Sequence, residues 1–126
     1  MPNHSTRPVF LSLAQLRYPV TAVASLAHRI SGVLMVLALP GLIYLLAASL
    51  ESEQSYRAVA ALMSGLPAKL VVTVLVWALA HHMLAGLRYL LIDLDIGVDL
   101  RPARVGAWLV SLGAPAVALI FLWSVA

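Results

Sequence analysis

Residues Ile30 to Leu50 read ISGVLMVLALPGLIYLLAASL, 21 consecutive positions without a charged side chain. At about 1.5 Å of rise per residue, a helix of that length crosses a hydrocarbon layer roughly 30 Å thick. Two further uncharged runs lie downstream, 18 residues from Leu70 to Leu87 and 22 from Val105 to Ala126. The composition agrees with three spans: 63% of the 126 residues are hydrophobic and 10% charged. Soluble domains carry roughly 45–50% apolar and 25% charged residues, so a water-soluble fold is excluded. The expected fold is an all-α membrane protein with three transmembrane helices, at about 19–50, 68–94 and 103–126. These use up the chain as a single membrane domain, 1–126.

Flanking residues refine the spans. Pro19 suits a first helical position, because its missing N–H would be unpaired there anyway. Pro40 and Gly41 fall inside the first span, where a mild kink is expected. Between the first two spans, Tyr56, Val59, Ala60 and Met63 recur at helical spacing and predict a short helix lying on the interface. Pro102 is expected to block continuation of the second span. Met1 to Phe10 has neither an apolar core nor an Arg-rich, Ser-rich character, so the first span is expected to be a retained anchor.

Orientation follows from Lys and Arg near the span ends. With the N-terminus inside, the inner side holds six (Arg7, Arg17, Arg29, Arg88, Arg101 and Arg104) and the outer loop two, Arg57 and Lys69. The N-terminus is therefore expected to face the cytoplasm. Eight basic residues divided among helix ends form no continuous basic patch, which argues against nucleic acid as a partner. The absence of cysteine excludes a disulfide framework, an iron-sulfur cluster of the chain's own and thiolate-ligated haem or zinc. There is no glycine-rich phosphate loop, so nucleotide or flavin binding by this chain alone is unsupported.

The chemistry must then lie within the spans. Ser25, His28, Arg29 and Gly32 are spaced by three and four residues and share one side of the first helix. An Arg at this depth costs roughly 2.5–3.5 kcal/mol on insertion scales. Two readings follow: Arg29 snorkels to lipid headgroups, or it faces a bound anion or carbonyl, with Ser25 supplying a hydroxyl and Gly32 leaving space for a planar group. On the second helix, His81 and His82 point about 100° apart, so one of them at most serves a given face as a haem ligand. Counting along the helix, His82 shares its stripe with Ala78, Ala85, Gly86, Tyr89 and Asp93, mostly small or polar; His81 shares its own with Val74, Trp77, Leu84 and Arg88. The cleared face favours His82 as an axial ligand. The alternative is that both histidines only hydrogen-bond between helices. Asp93, eleven residues beyond His82, is a candidate proton relay or an ion-pair partner for Arg29. On the third helix Gly106, Val110, Gly113 and Val117 suggest a packing face.

Three blocks carry a resemblance to a known family: R-P-V-F-L-S-L-A-Q-L-R-Y-P from Arg7, S-L-A-H-R-I-S-G from Ser25 to Gly32, and H-H-M-L-A-G-L-R-Y-L-L-I-D from His81 to Asp93. Their order, the three spans and the length resemble the cytochrome b membrane-anchor subunit of succinate dehydrogenase, respiratory complex II. One position departs, since Tyr89 stands where many members have His.

The resemblance implies haem b held by His82 as one axial ligand, the other His coming from a second small membrane subunit. It implies a haem-propionate pocket at His28, Arg29, Gly32 and Gly86, and a ubiquinone site at Ser25 and Arg29. It also implies an iron-sulfur subunit and a flavoprotein subunit as partners, and a bacterial cytoplasmic membrane as location. The chain would be no enzyme on its own but part of a larger heteromeric helical bundle. Three readings compete: an anchor of fumarate reductase type oxidising a quinol, a haem-free adaptor in which His82, Arg29 and Asp93 line a proton path, and a haem held by His28 and His82 of one chain.

Overall fold

A computed structural model describes residues 18–126. The opening block as far as Arg17, with Arg7 and Arg17 of the charge count, lies outside the described residues. Four helices follow one another: α1 (Val20–Glu51), α2 (Glu53–Ser64), α3 (Leu66–Asp93) and α4 (Leu100–Val125). With 32, 28 and 26 residues, α1, α3 and α4 are each long and apolar enough to cross a membrane. The all-α membrane fold is thus present, and the chain is a multi-pass membrane protein.

The helix ends follow local chemistry. Pro19 stands one position earlier than its expected place: its backbone is extended, with ψ 151°, and it caps α1. Its carbonyl accepts from the amides of Ala22 and Val23, at 2.9 and 3.2 Å. α2 opens on Ser52, whose hydroxyl accepts from the Ser55 amide at 3.1 Å, a standard N-cap contact. Glu53 in its first turn reaches Arg57 four residues on. Pro67 occupies the first turn of α3, where no donor is lost.

α3 ends at Asp93 with Leu94 as its C-cap, close to the expected 94, but by a different device. Asp95 takes a left-handed conformation with φ 59°. The Ile96 amide bonds to the Leu91 carbonyl and that of Asp95 to the Ile92 carbonyl, both at 2.9 Å. This is a Schellman termination with Asp where Gly is usual. Pro102 does not stop α3; it sits in the first turn of α4, where its missing N–H has no intrahelical acceptor.

α3 is central, packing against α4 on one side and α1 on the other. The buried positions are nearly all small: Ala24 and Ser31 on α1, Ala78 and Ala85 on α3, and Ala107, Ala114 and Ala118 on α4. Among lipids, burying Leu brings no hydrophobic gain, so helices associate where small residues let their backbones approach. Large side chains accordingly point outward, Trp123 being 87% exposed and Leu37 72%. The buried face of α4 is Ala107, Val110, Ala114 and Ala118, not the expected stripe through Val117, which is 44% exposed. Gly106 and Gly113 flank this face. A Cβ on Gly106 would lie 3.4 Å from Arg88 Nε, and one on Gly113 the same distance from Leu84.

Candidate functional site

Ser31 and His81 are the buried polar side chains among the described residues, and both lie where α1 meets α3. Two adjacent histidines of α3 meet two different turns of α1 there. His81 is 2% exposed; its Nε2 donates to the Ala24 carbonyl at 3.3 Å. Its ring lies 5.6 Å from that of Trp77. This nitrogen is committed to a helix–helix contact, so His81 ties α3 to the turn of α1 preceding Ser25.

His82 points elsewhere. Its Nδ1 lies 3.2 Å from the His28 carbonyl oxygen and 3.3 Å from Ser31 Oγ. A backbone carbonyl only accepts, so Nδ1 carries the proton, and the lone pair of the neutral ring resides on Nε2. Such a nitrogen is free to bind a metal, with its orientation held from behind. The ring stacks on His28 with centroids 4.2 Å apart and planes 22° apart. Tyr89 follows His28 at 5.3 Å, tilted by 54°.

Gly32 makes this arrangement sterically possible. A Cβ there would stand 3.0 Å from His82 Cε1, so tight that the imidazole would have to shift by a few tenths of an ångström. The space beside His82 therefore comes from across the helix pair. It adds to the small face counted on α3, where Ala78 and Ala85, buried with His81, lie four and three residues from His82 as well. Gly86 is similarly close to α1, its missing Cβ 4.0 Å from His28 Nε2.

A groove of about 500 Å³ opens beside the pair, with His28, Arg29, Gly32 and His82 at its polar part and Val33, Val36 and Leu37 along its apolar wall. An apolar wall with a few convergent polar groups is what a planar, amphipathic ligand requires. Arg29 is exposed and lines the groove. Ser25 is half-buried one turn away, outside that lining.

Asp93 is exposed and does not pair with Arg29; among the described residues the ion pair formed is Arg57 with Glu53. The reason is height. Asp93 stands eleven residues beyond His82, about 16 Å further along the helix, whereas Arg29 is level with the histidines. Arg88 turns from the groove to α4, donating to the Ala103 carbonyl at 3.2 Å.

Ser31 is the residue that sequence reading undervalued. It is fully buried, and its hydroxyl donates to the His28 carbonyl at 2.7 Å while facing His82. Its spacing of three from His28 and its place beside Gly32 were the available signals. A helical Ser bonding back to a carbonyl is, however, common anywhere.

Comparison with known proteins adds a second line. Residues 3–122 match the family described as succinate dehydrogenase/fumarate reductase transmembrane subunit. The succinate dehydrogenase cytochrome b556 subunit of Coxiella burnetii is 32% identical over 124 residues, covering 95% of this chain and 99% of that protein. The subunit of the same name from Paracoccus denitrificans is 27% identical over 120 residues, covering 95% and 92%.

Proposed function

Because this chain belongs to the family of succinate dehydrogenase/fumarate reductase transmembrane subunits, we propose that it anchors a succinate dehydrogenase to a bacterial cytoplasmic membrane and holds part of a haem b and of a ubiquinone-reduction site. Both relatives quoted above carry the name cytochrome b556, which favours haem over a haem-free adaptor, and succinate dehydrogenase over the fumarate reductase type. The observation that carries the reading is His82, whose Nδ1 is fixed by the His28 carbonyl while its Nε2 stays uncommitted.

The residues fit haem b. His82 Nε2 would be one axial ligand, with His28, Arg29, Gly32 and Gly86 forming the nearby pocket. Haem supplies a one-electron store whose potential the ligand's environment tunes. The guanidinium of Arg29 is permanently charged and suits a propionate or a quinone oxygen that gains negative charge on reduction. The Ser25 hydroxyl, one turn away, can donate to a quinone oxygen. Asp93, at the end of α3 that the charge count places inside, would pass protons from the wet rim.

A single chain supplying both axial ligands is disfavoured, because His28 and His82 stack at 4.2 Å and leave no thickness for a macrocycle between them. The other His would come from a second small membrane subunit, as the family resemblance implies. A flavoprotein subunit and an iron-sulfur subunit complete the route from succinate to the membrane, and this chain performs no oxidation alone.

The deciding experiment is purification of the intact complex, identification of its chains and a reduced-minus-oxidised spectrum. A b-type signal together with flavoprotein and iron-sulfur subunits is expected. A complex with neither would overturn the proposal.

A further inference from the structure

We infer that Ser31 is a positioning residue that, together with the His28 carbonyl, holds His82 in a single tautomer, so that the two adjacent histidines of α3 carry their protons on opposite ring nitrogens. The functional consequence of this inference rests on reading His82 as a haem ligand; the tautomer assignment does not.

The Ser31 hydroxyl has one proton, and the His28 carbonyl, at 2.7 Å, takes it. Toward His82 Nδ1, at 3.3 Å, the Ser31 oxygen can then only accept. The His28 carbonyl oxygen, 3.2 Å from the same nitrogen, is also only an acceptor. Two acceptors converge on one ring nitrogen beside a fully buried hydroxyl. Were the proton on Nε2, the Nδ1 lone pair would face the carbonyl oxygen, and the Ser31 hydroxyl could donate to it only by giving up its 2.7 Å bond to that carbonyl, leaving an unsatisfied polar contact in a low-dielectric setting. The proton therefore sits on Nδ1.

His81 obeys the opposite rule: its Nε2 faces the Ala24 carbonyl at 3.3 Å and must carry the proton. One sequence position thus separates a ring whose Nε2 is spent on packing from a ring whose Nε2 is kept free. An oxygen accepting from Nδ1–H also raises the basicity of the opposite nitrogen. Ser31 would accordingly strengthen His82 as a ligand without touching the metal.

Solid-state NMR of the full-length chain in lipid bilayers, with ¹⁵N-labelled histidine and assignment through His81 and His82 variants, reads the tautomers directly. The expected wild-type spectrum has His82 protonated at Nδ1 and His81 at Nε2. In S31A a second His82 population protonated at Nε2 appears, and S31T, which keeps the hydroxyl, restores a single form. An Nε2-protonated His82 in the wild type, an unchanged S31A spectrum, or an S31A shift that S31T fails to reverse would each overturn the inference.

In the purified complex, S31A is expected to hold haem roughly ten-fold less firmly and at a raised midpoint potential, with S31T near wild type. A complex that contains no b-type haem would refute the reading of His82 and leave the tautomer result standing. Normal haem that is indifferent to S31A would refute the role of Ser31 and leave His82 standing.

Discussion

The pair formed by α1 and α3 has two contrasting halves. Toward the end that the charge count places inside, the helices are joined by named polar contacts: His81 to the Ala24 carbonyl, and His82 to the His28 carbonyl and Ser31. Further along, the same helices part around an apolar groove of about 300 Å³ bordered by Met35, Leu39 and Leu42 on one side and Val72, Val76 and Leu79 on the other. Leucine against leucine gains little where the alternative is lipid, whereas a hydrogen bond in that medium fixes rotation and register. The inner half therefore specifies how the helices meet, and the outer half tolerates whatever fills it.

The sharpest way to break this contrast is His82→Leu, which is expected to abolish the b-type signal of the purified complex, while His81→Leu retains it with weaker helix packing. Equal loss in both variants would remove the distinction between a free and a committed imidazole. Arg29→Leu comes next. Loss of a charged hydrogen bond of about 1.5–3 kcal/mol corresponds to a roughly 10- to 100-fold fall in quinone reduction. Succinate oxidation with an artificial acceptor should persist, and parallel loss of both activities would indicate failed assembly.

Gly32→Ala places a methyl 3.0 Å from His82 Cε1. Because the imidazole is also held by stacking on His28 and by the His28 carbonyl, the cost should approach the roughly 1–3 kcal/mol of an overpacked contact, read as loosened haem and an altered spectrum. The smallest effect belongs to the outer half: Leu39→Ala, at a position 55% exposed, should change thermal stability of the complex by about 0.5 kcal/mol or less. A large effect there would mean that the groove is filled by a partner helix and not by lipid.

The same contrast explains what was legible in the sequence. Uncharged runs mark the helices because the bilayer penalises charge along the whole length of a span, a property that composition records directly. The spacing of Ser25, His28, Arg29 and Gly32 gave a face for the same reason that helices have faces. Contacts between helices were less accessible. Counting along α3 placed Ala78 and Ala85 beside His82, but it could not show that Gly32 of the other helix also leaves space there. The end of α3 near Leu94 was legible but its cause was not: a left-handed Asp95, and not Pro102, closes the helix, in a conformation that Asp adopts too seldom to be read from its letter. Ser31 escaped notice because its importance depends on a residue 51 positions away.

Arg29 stands exposed on a membrane-spanning helix with no acidic neighbour paired to it among the described residues. An orphan copy of this subunit would carry that cation into the bilayer without a counterion, at a cost of roughly 2.5–3.5 kcal/mol. Assembly beside an anion or a neighbouring chain that relieves the charge would recover that cost, so the complex is favoured over the solitary subunit by the same side chain.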